Sequence, residues 1–270
     1  MSTQATQDSH SLIATDLSCG YKGVPVLQGV DLSVTTGEVV CLLGPNGVGK
    51  TTLFKTLLGF LPTISGTVEI DGKPRAEYNR RAFARKVSYV PQNHEPPFSF
   101  SVMDIVLTGC ASQLSLFSVP TAADIARAEA ILDELGIAHL RDRDYTQISG
   151  GEQQMALIAR SLMQDANILM MDEPTAALDF GNQVSVLTCI RHLAARNHGI
   201  IMTTHNPDHA FLCCDRAVLI TRRGEVLAGP VDEVVTEENL ERAYGIRVKM
   251  AEAEDEEGRP IKTCVPQLNI

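Results

Sequence analysis

The chain has 270 residues, 44% of them hydrophobic, enough to bury a sizeable core in one large domain or two small ones. Its formal charge of −10 argues against nucleic acid as the principal partner, because binding a phosphate backbone calls for a basic face. No run approaches the ~18 apolar residues of a membrane-spanning helix, and the polar start MSTQATQDSHS lacks a secretory pattern, so membrane contact is expected only through a partner.

In chain order, residues 1–10 read as a polar tail. Residues 12–70 then show short alternating segments, such as Leu32 with Val34 and Val68 with Ile70, broken by Thr36-Gly37 and Asp71-Gly72. This pattern predicts a small antiparallel sheet. The apolar run 39–43 interrupts it and leads into Gly44-Pro45-Asn46-Gly47-Val48-Gly49, followed by Lys50, Thr51 and Thr52. Small residues let successive backbone N–H groups converge on phosphate oxygens, and the following helix aims its positive end at them. Lys50 adds a point charge, and the Thr51 hydroxyl suits Mg²⁺. Such a loop sits at the carboxyl end of a parallel strand, which predicts an α/β core.

After Tyr89-Val90-Pro91-Gln92 the spacing becomes helical. Met103, Val106, Leu107 and Cys110 share one face, as do Ile125, Ala128, Leu132 and Leu135, the latter behind the capping signal Thr121 and Asp124. Residues 93–163 are therefore expected to form a mostly helical insertion entered through HEPPF, residues 94–98, where two prolines forbid regular structure. Strands return at 168–172, 199–204 and 217–221, with a helix over 181–195. A hairpin at Arg223-Gly224 and a helix over 237–244 close a single domain expected to span 11–247. Residues 248–270, containing AEAEDEEG, read as an acidic tail. The seven cysteines form no C-x-x-C pair, and Cys41 and Cys189 fall in apolar patterns. They read as reduced thiols and favour a cytosolic location.

A second acidic element carries chemistry. Ile168, Leu169, Met170 and Met171 make a buried strand that delivers Asp172 and Glu173 to its carboxyl end. Asp172 is placed to hold Mg²⁺ through water, and Glu173 is the candidate general base for an attacking water. His205 and His209, four residues apart, look at first like a metal pair. Asn206 and Pro207 suit a helix start, however, which puts His205 outside that helix.

With these motifs in order, the chain resembles the ATP-binding subunit of an ABC transporter over roughly residues 11–245. Val90-Pro91-Gln92 matches the glutamine loop and Ile148-Ser149-Gly150-Gly151-Glu152 the signature, with Glu152 where Gln is commonest. Ala177-Leu178-Asp179 matches the D-loop and Thr203-Thr204-His205 the switch histidine. The resemblance implies a P-loop NTPase core of ABC type, with a small antiparallel β-subdomain and a helical subdomain inserted before the signature. It also implies ATP hydrolysis with Mg²⁺. Tyr21 would stack on adenine, while Gly44, Pro45, Asn46, Gly47, Gly49, Lys50, Thr51, Thr52 and Gln92 would hold the nucleotide. Thr51, Gln92 and Asp172 would serve the metal, and Glu173, His205 and Lys50 the reaction.

Ser149, Gly150, Gly151 and Glu152 would receive the γ-phosphate bound by a second copy, and Asp179 would link the two sites of that homodimer. Two polytopic membrane permease subunits, and through them an extracytoplasmic substrate-binding protein, are the implied partners; nucleic acid is not. The stretches GGEQQMALIARSL and TAALDFGNQ are most similar to importers of iron–siderophore complexes, haem and cobalamin, with zinc, manganese and molybdate importers also possible. The implied place is the cytoplasmic face of the inner membrane. The alternative from another class is a soluble ABC ATPase, such as a subunit of an iron–sulfur assembly scaffold.

Overall fold

A computed structural model describes residues 9–92, 98–113, 119–254, 257–258 and 260–268. The expected entrance loop thus lies outside the described residues except for Phe98. In chain order the first elements are β1 (Ser11–Tyr21), β2 (Val24–Thr35), β3 (Val39–Leu43), α1 (Lys50–Leu57), β4 (Thr63–Ile70), β5 (Lys73–Pro74), α2 (Arg80–Ala84) and β6 (Val87–Val90). The helical part follows as α3 (Val102–Leu107), α4 (Ala122–Glu134) and α5 (Gly150–Met163). The chain returns through β7 (Ile168–Met171), α6 (Phe180–Ala195), β8 (Gly199–Thr204), α7 (Asp208–Cys213), β9 (Arg216–Ile220) and β10 (Val226–Pro230). It ends with α8 (Val231–Val234), α9 (Glu237–Tyr244), β11 (Val248–Glu254) and β12 (Pro260–Pro266).

The central sheet runs β10-β9-β3-β8-β7-β6, parallel throughout except for the edge strand β10. Because side chains alternate along a strand, its two faces feed different cores. Val39, Cys41 and Leu43 of β3 join Leu169 and Met171 of β7 on the side packed by α3 to α7. Val40 and Leu42 join Ile168 and Met170 on the other side, with α1 and the antiparallel sheet β2-β1-β4-β5. Burial on both faces explains why β3 and β7 read as unbroken apolar runs.

The helical starts obey their chemistry. Ser101 with Asp104, Thr121 with Asp124 and Ser149 with Glu152 each form a reciprocal capping box at the first turn of α3, α4 and α5.

The acidic tail expected over 248–270 differs in its described residues. β11 and β12 pair as an antiparallel hairpin, Val248 opposite Pro266 and Met250 opposite Cys264. The charge run hides an apolar alternation: Val248 is buried, and Met250 and Cys264 pack against the core. Asp208, in the first turn of α7, accepts the Cys264 N–H at 2.7 Å and pins the hairpin.

Candidate functional site

The carboxyl ends of β3, β7 and β8 lie side by side in register, Leu43 opposite Thr204 and Met171 opposite Met202. The loops that leave them therefore meet at one edge of the sheet, where a parallel α/β sheet presents its ligand site. Two glycines shape the first loop. Gly44 has φ +153°, and a Cβ there would sit 2.5 Å from the Ile220 carbonyl oxygen. Gly49 turns the chain into α1 with φ +109°, where a Cβ would meet Val26 Cγ1 at 2.9 Å. Neither position accepts a side chain without displacing its neighbours.

Lys50, only 5% exposed, folds back so that its ammonium donates to the carbonyl oxygens of Gly44 at 2.6 Å and Pro45 at 3.1 Å. Burial pulls its pKa down, while Glu173 and then Asp172 oppose that shift. A cavity of about 300 Å³ opens over this loop, lined by Tyr21, Asn46, Gly47, Gly49, Lys50, Thr51, Thr52 and Glu173 among others. Tyr21 is 49% exposed, leaving its ring free, and its hydroxyl accepts from Thr52 Oγ1 at 3.5 Å. Thr51 is exposed to the cavity side.

The two carboxylates after β7 have opposite surroundings. Asp172 is buried and accepts from Thr203 Oγ1 at 2.7 Å; desolvation raises its pKa despite that bond. Glu173 has φ +44°, a strained value for a residue with a side chain, and its N–H donates to the same Thr203 hydroxyl at 2.7 Å. Its carboxylate gathers three of the expected partners. Gln92 Nε2 donates to Oε2 at 3.3 Å, His205 Nδ1 lies 3.4 Å from Oε2, and Lys50 Nζ lies 3.9 Å from Oε1. Three sequence-distant residues thus converge on one acid at the mouth of the cavity.

His209 does not share this site. It is buried beneath it, with Nδ1 3.0 Å from Thr204 Oγ1 and Nε2 3.3 Å from Asn206 Nδ2, and burial lowers its pKa. Asn206 accepts the Asp208 N–H at 3.0 Å from just ahead of α7, but the N-cap is Pro207, without a side-chain cap bond, so the helix starts one residue later than expected and His205 still lies outside it. Among the described residues no three His, Cys, Asp or Glu side chains stand together as a metal site.

The signature is not brought to the phosphate loop. Ser149 and Gly150 are exposed at the start of α5, and none of Ser149, Gly150, Gly151 or Glu152 lines the cavity around Lys50. They pack instead beside the D-loop: a Cβ on Gly150 would touch Leu178 Cδ2 at 3.4 Å, and one on Gly151 would strike Asn182. Asp179, also exposed, caps α6 by accepting the Asn182 N–H at 2.9 Å. Glu152 closes the α5 cap, since the Ser149 hydroxyl and N–H donate to Oε2 at 2.7 and 2.8 Å and hold its carboxyl below the usual range. That bond gives the Glu at this position a local role.

Thr203 and Tyr244 escaped the sequence reading as functional residues. A threonine ending an apolar strand gives no sign that its hydroxyl bridges two carboxylate-bearing residues. Tyr244 lies 39 positions from the His205 carbonyl to which it donates at 2.8 Å, too far for any local pattern to pair them.

The raised pKa of Asp172 has a measurable consequence. A carboxyl whose folded pKa lies above its unfolded value contributes stability at low pH that is lost as pH rises through the folded value. Asp172→Asn keeps an oxygen for Thr203 and removes the buried charge. In nucleotide-free protein at neutral pH its melting temperature is expected to rise by roughly 2–4 °C, the shift that ~1 kcal/mol gives in a chain of this size. The difference from the parent should vanish under acid conditions, as scanning calorimetry across that range would record.

Comparison with known proteins bears on the family and the fold. Residues 27–176 match the family described as ABC transporter. An uncharacterized ABC transporter ATP-binding protein of Haemophilus influenzae is 42% identical over 229 residues, covering 85% of this chain and 87% of its own length. The zinc transport system ATP-binding protein TroB of Treponema pallidum is 34% identical over 242 residues, 89% of each chain. Among solved structures, an inward-facing ABC transporter described as of metal-chelate type superposes with a TM-score of 0.85 at 30% identity, covering 96% of this chain and 98% of that one.

Proposed function

Because the chain belongs to the ABC transporter family and is an ATP-binding ATPase of that family, we propose that it dimerises around MgATP and powers import through a membrane permease. The observation that carries this reading is the convergence of Gln92, His205 and Lys50 on the Glu173 carboxylate, beside a glycine-framed cavity of about 300 Å³.

Tyr21 stacks on adenine, and the loop from Gly44 to Thr52 wraps the phosphates. Lys50 exchanges its two carbonyl contacts for phosphate oxygens. Glu173 orients and deprotonates the attacking water, with Gln92 and His205 holding that water and the γ-phosphate in line. Thr51, Asp172 and Gln92 suit Mg²⁺: two of these groups face the cavity or its rim, and the buried Asp172 carries an imperfectly compensated negative charge that a cation would relieve. The ion supplies neutralisation of phosphate charge there.

The exposed signature Ser149, Gly150, Gly151 and Glu152 then completes the site of a second copy, and Asp179 crosses the same seam. Closure of that dimer by ATP, and reopening on hydrolysis, work as differential affinity for two states. The partners are two polytopic permease subunits and, through them, an extracytoplasmic binding protein, with the chain held at the cytoplasmic face of the inner membrane. No described helix is long and apolar enough to cross a membrane, which fits attachment through a partner. The cargo is an iron–siderophore complex, haem, cobalamin or a related metal compound, a reading supported by the similarity to a transporter of metal-chelate type.

The test is affinity purification of Glu173→Gln protein from detergent-solubilised membranes in the presence of MgATP. Co-purification of a many-helix membrane subunit is expected. Recovery of soluble partners alone would remove the transport assignment and favour an assembly ATPase.

A further inference from the structure

The His205 carbonyl lies in an unusual position. It follows the last residue of β8 and precedes α7, whose first backbone bonds run to the carbonyls of Asn206 and Pro207 rather than to His205. Both flanks are fixed: the Asn206 N–H donates to Thr204 Oγ1 at 3.1 Å, and the Asp208 N–H donates to Asn206 Oδ1 at 3.0 Å. Between them, the His205 carbonyl receives the Tyr244 hydroxyl at 2.8 Å. Tyr244 is the last residue of α9, and its ring packs against the main core.

The Tyr244 phenol is half-buried against that core. Burial raises its pKa, so it stays a proton donor at neutral pH. The carbonyl it holds lies one residue past Thr204, which pairs with Leu43 at the entry to the phosphate loop. The helix of Tyr244 is itself anchored, since Glu237 at the start of α9 accepts the Met250 N–H at 2.9 Å and pairs with Lys249 at 2.9 Å. The His205 side chain is 54% exposed and meets only Glu173 among the described ion pairs, so its ring has little else to fix its aim.

We infer that Tyr244 is a positioning residue for the switch histidine: its hydroxyl holds the His205 backbone in place beside the phosphate loop, setting the imidazole against Glu173. The inference rests on the hydrolytic roles given above to His205 and Glu173. It also gives the C-terminal helix, remote in sequence from every nucleotide motif, a part in catalysis without contact with the substrate.

Tyr244→Phe in the full-length chain removes the hydroxyl and keeps the ring. Loss of one neutral hydrogen bond predicts a kcat lower by about 3- to 10-fold, with KM for ATP within about twofold of the parent. A purely structural role would not produce the second expected result. If Tyr244 acts through His205, Tyr244→Phe placed on top of His205→Ala slows single-turnover hydrolysis of radiolabelled ATP no further than His205→Ala alone.

Unchanged kcat in Tyr244→Phe, or an undiminished further loss in the double variant, would overturn the inference. A His205→Ala protein that hydrolyses ATP like the parent would instead remove the underlying role of His205. The two failures are therefore separable, and melting curves of each variant exclude a folding defect as their source.

Discussion

Glu173→Gln protein is expected to bind ATP as tightly as the parent chain and to hydrolyse it about 10²–10⁴-fold more slowly, the contribution of a positioned general base. The substitution is nearly isosteric. It leaves the strained backbone at φ +44° and the N–H bond to Thr203 intact, because neither involves the side chain. It keeps an oxygen for Gln92 or His205, yet removes the negative charge that draws all three neighbours together. The phosphate loop keeps its shape, since Lys50 retains its shorter bonds to the Gly44 and Pro45 carbonyls when its 3.9 Å pairing with Glu173 is lost. Single-turnover hydrolysis and titration with a fluorescent ATP analogue separate the two effects. Normal hydrolysis by Glu173→Gln would remove the base assignment, and a parallel loss of binding would recast Glu173 as part of the nucleotide cradle.

Two variants, each inactive alone, are expected to recover activity when mixed. Lys50→Ala strips the phosphate loop of its charge and should cost about 10²–10³-fold in hydrolysis, as removal of one preorganised charge does. Gly150→Asp places a carboxylate on the exposed N-terminus of α5, where it would repel a γ-phosphate while leaving that chain's own loop unaltered. In a mixed dimer, one site joins the intact loop of the Gly150→Asp chain to the intact signature of the Lys50→Ala chain. Random pairing then restores about a quarter of the parental rate if the sites act independently, because heterodimers are half the population and carry one sound site of two. A steady-state assay over a range of mixing ratios reads this directly. Strict additivity of the two residual rates would mean that the signature serves its own chain.

The residues of the proposed site were legible in sequence where neighbours in the chain stand together in the fold. A loop of small residues before Lys50 and Thr51, or an apolar strand ending in two acids, announces itself because the function needs consecutive residues at one strand end. The alternation that predicted the antiparallel sheet was equally local, and β1, β2 and β4 pair as such.

What sequence could not reveal were bonds made across the fold. Thr203 ties Asp172 to Glu173 from a neighbouring strand, and Tyr244 reaches His205 from the C-terminal helix. The C-terminal hairpin was obscured for a different reason. Its acidic run dominates the composition, whereas its register is set by a few partly buried apolar residues and by Asp208 of α7. Charge patterning describes the exposed face of such a segment and says little about the face that docks.

The separation of the signature from the phosphate loop supports the proposal that a second copy completes each ATP site. The most direct test is the mass of full-length Glu173→Gln protein measured by light scattering with and without MgATP. A monomer without nucleotide and a dimer when MgATP saturates the site are the expected results. A chain that remains monomeric at saturating MgATP, or that dimerises equally without nucleotide, would contradict the proposal.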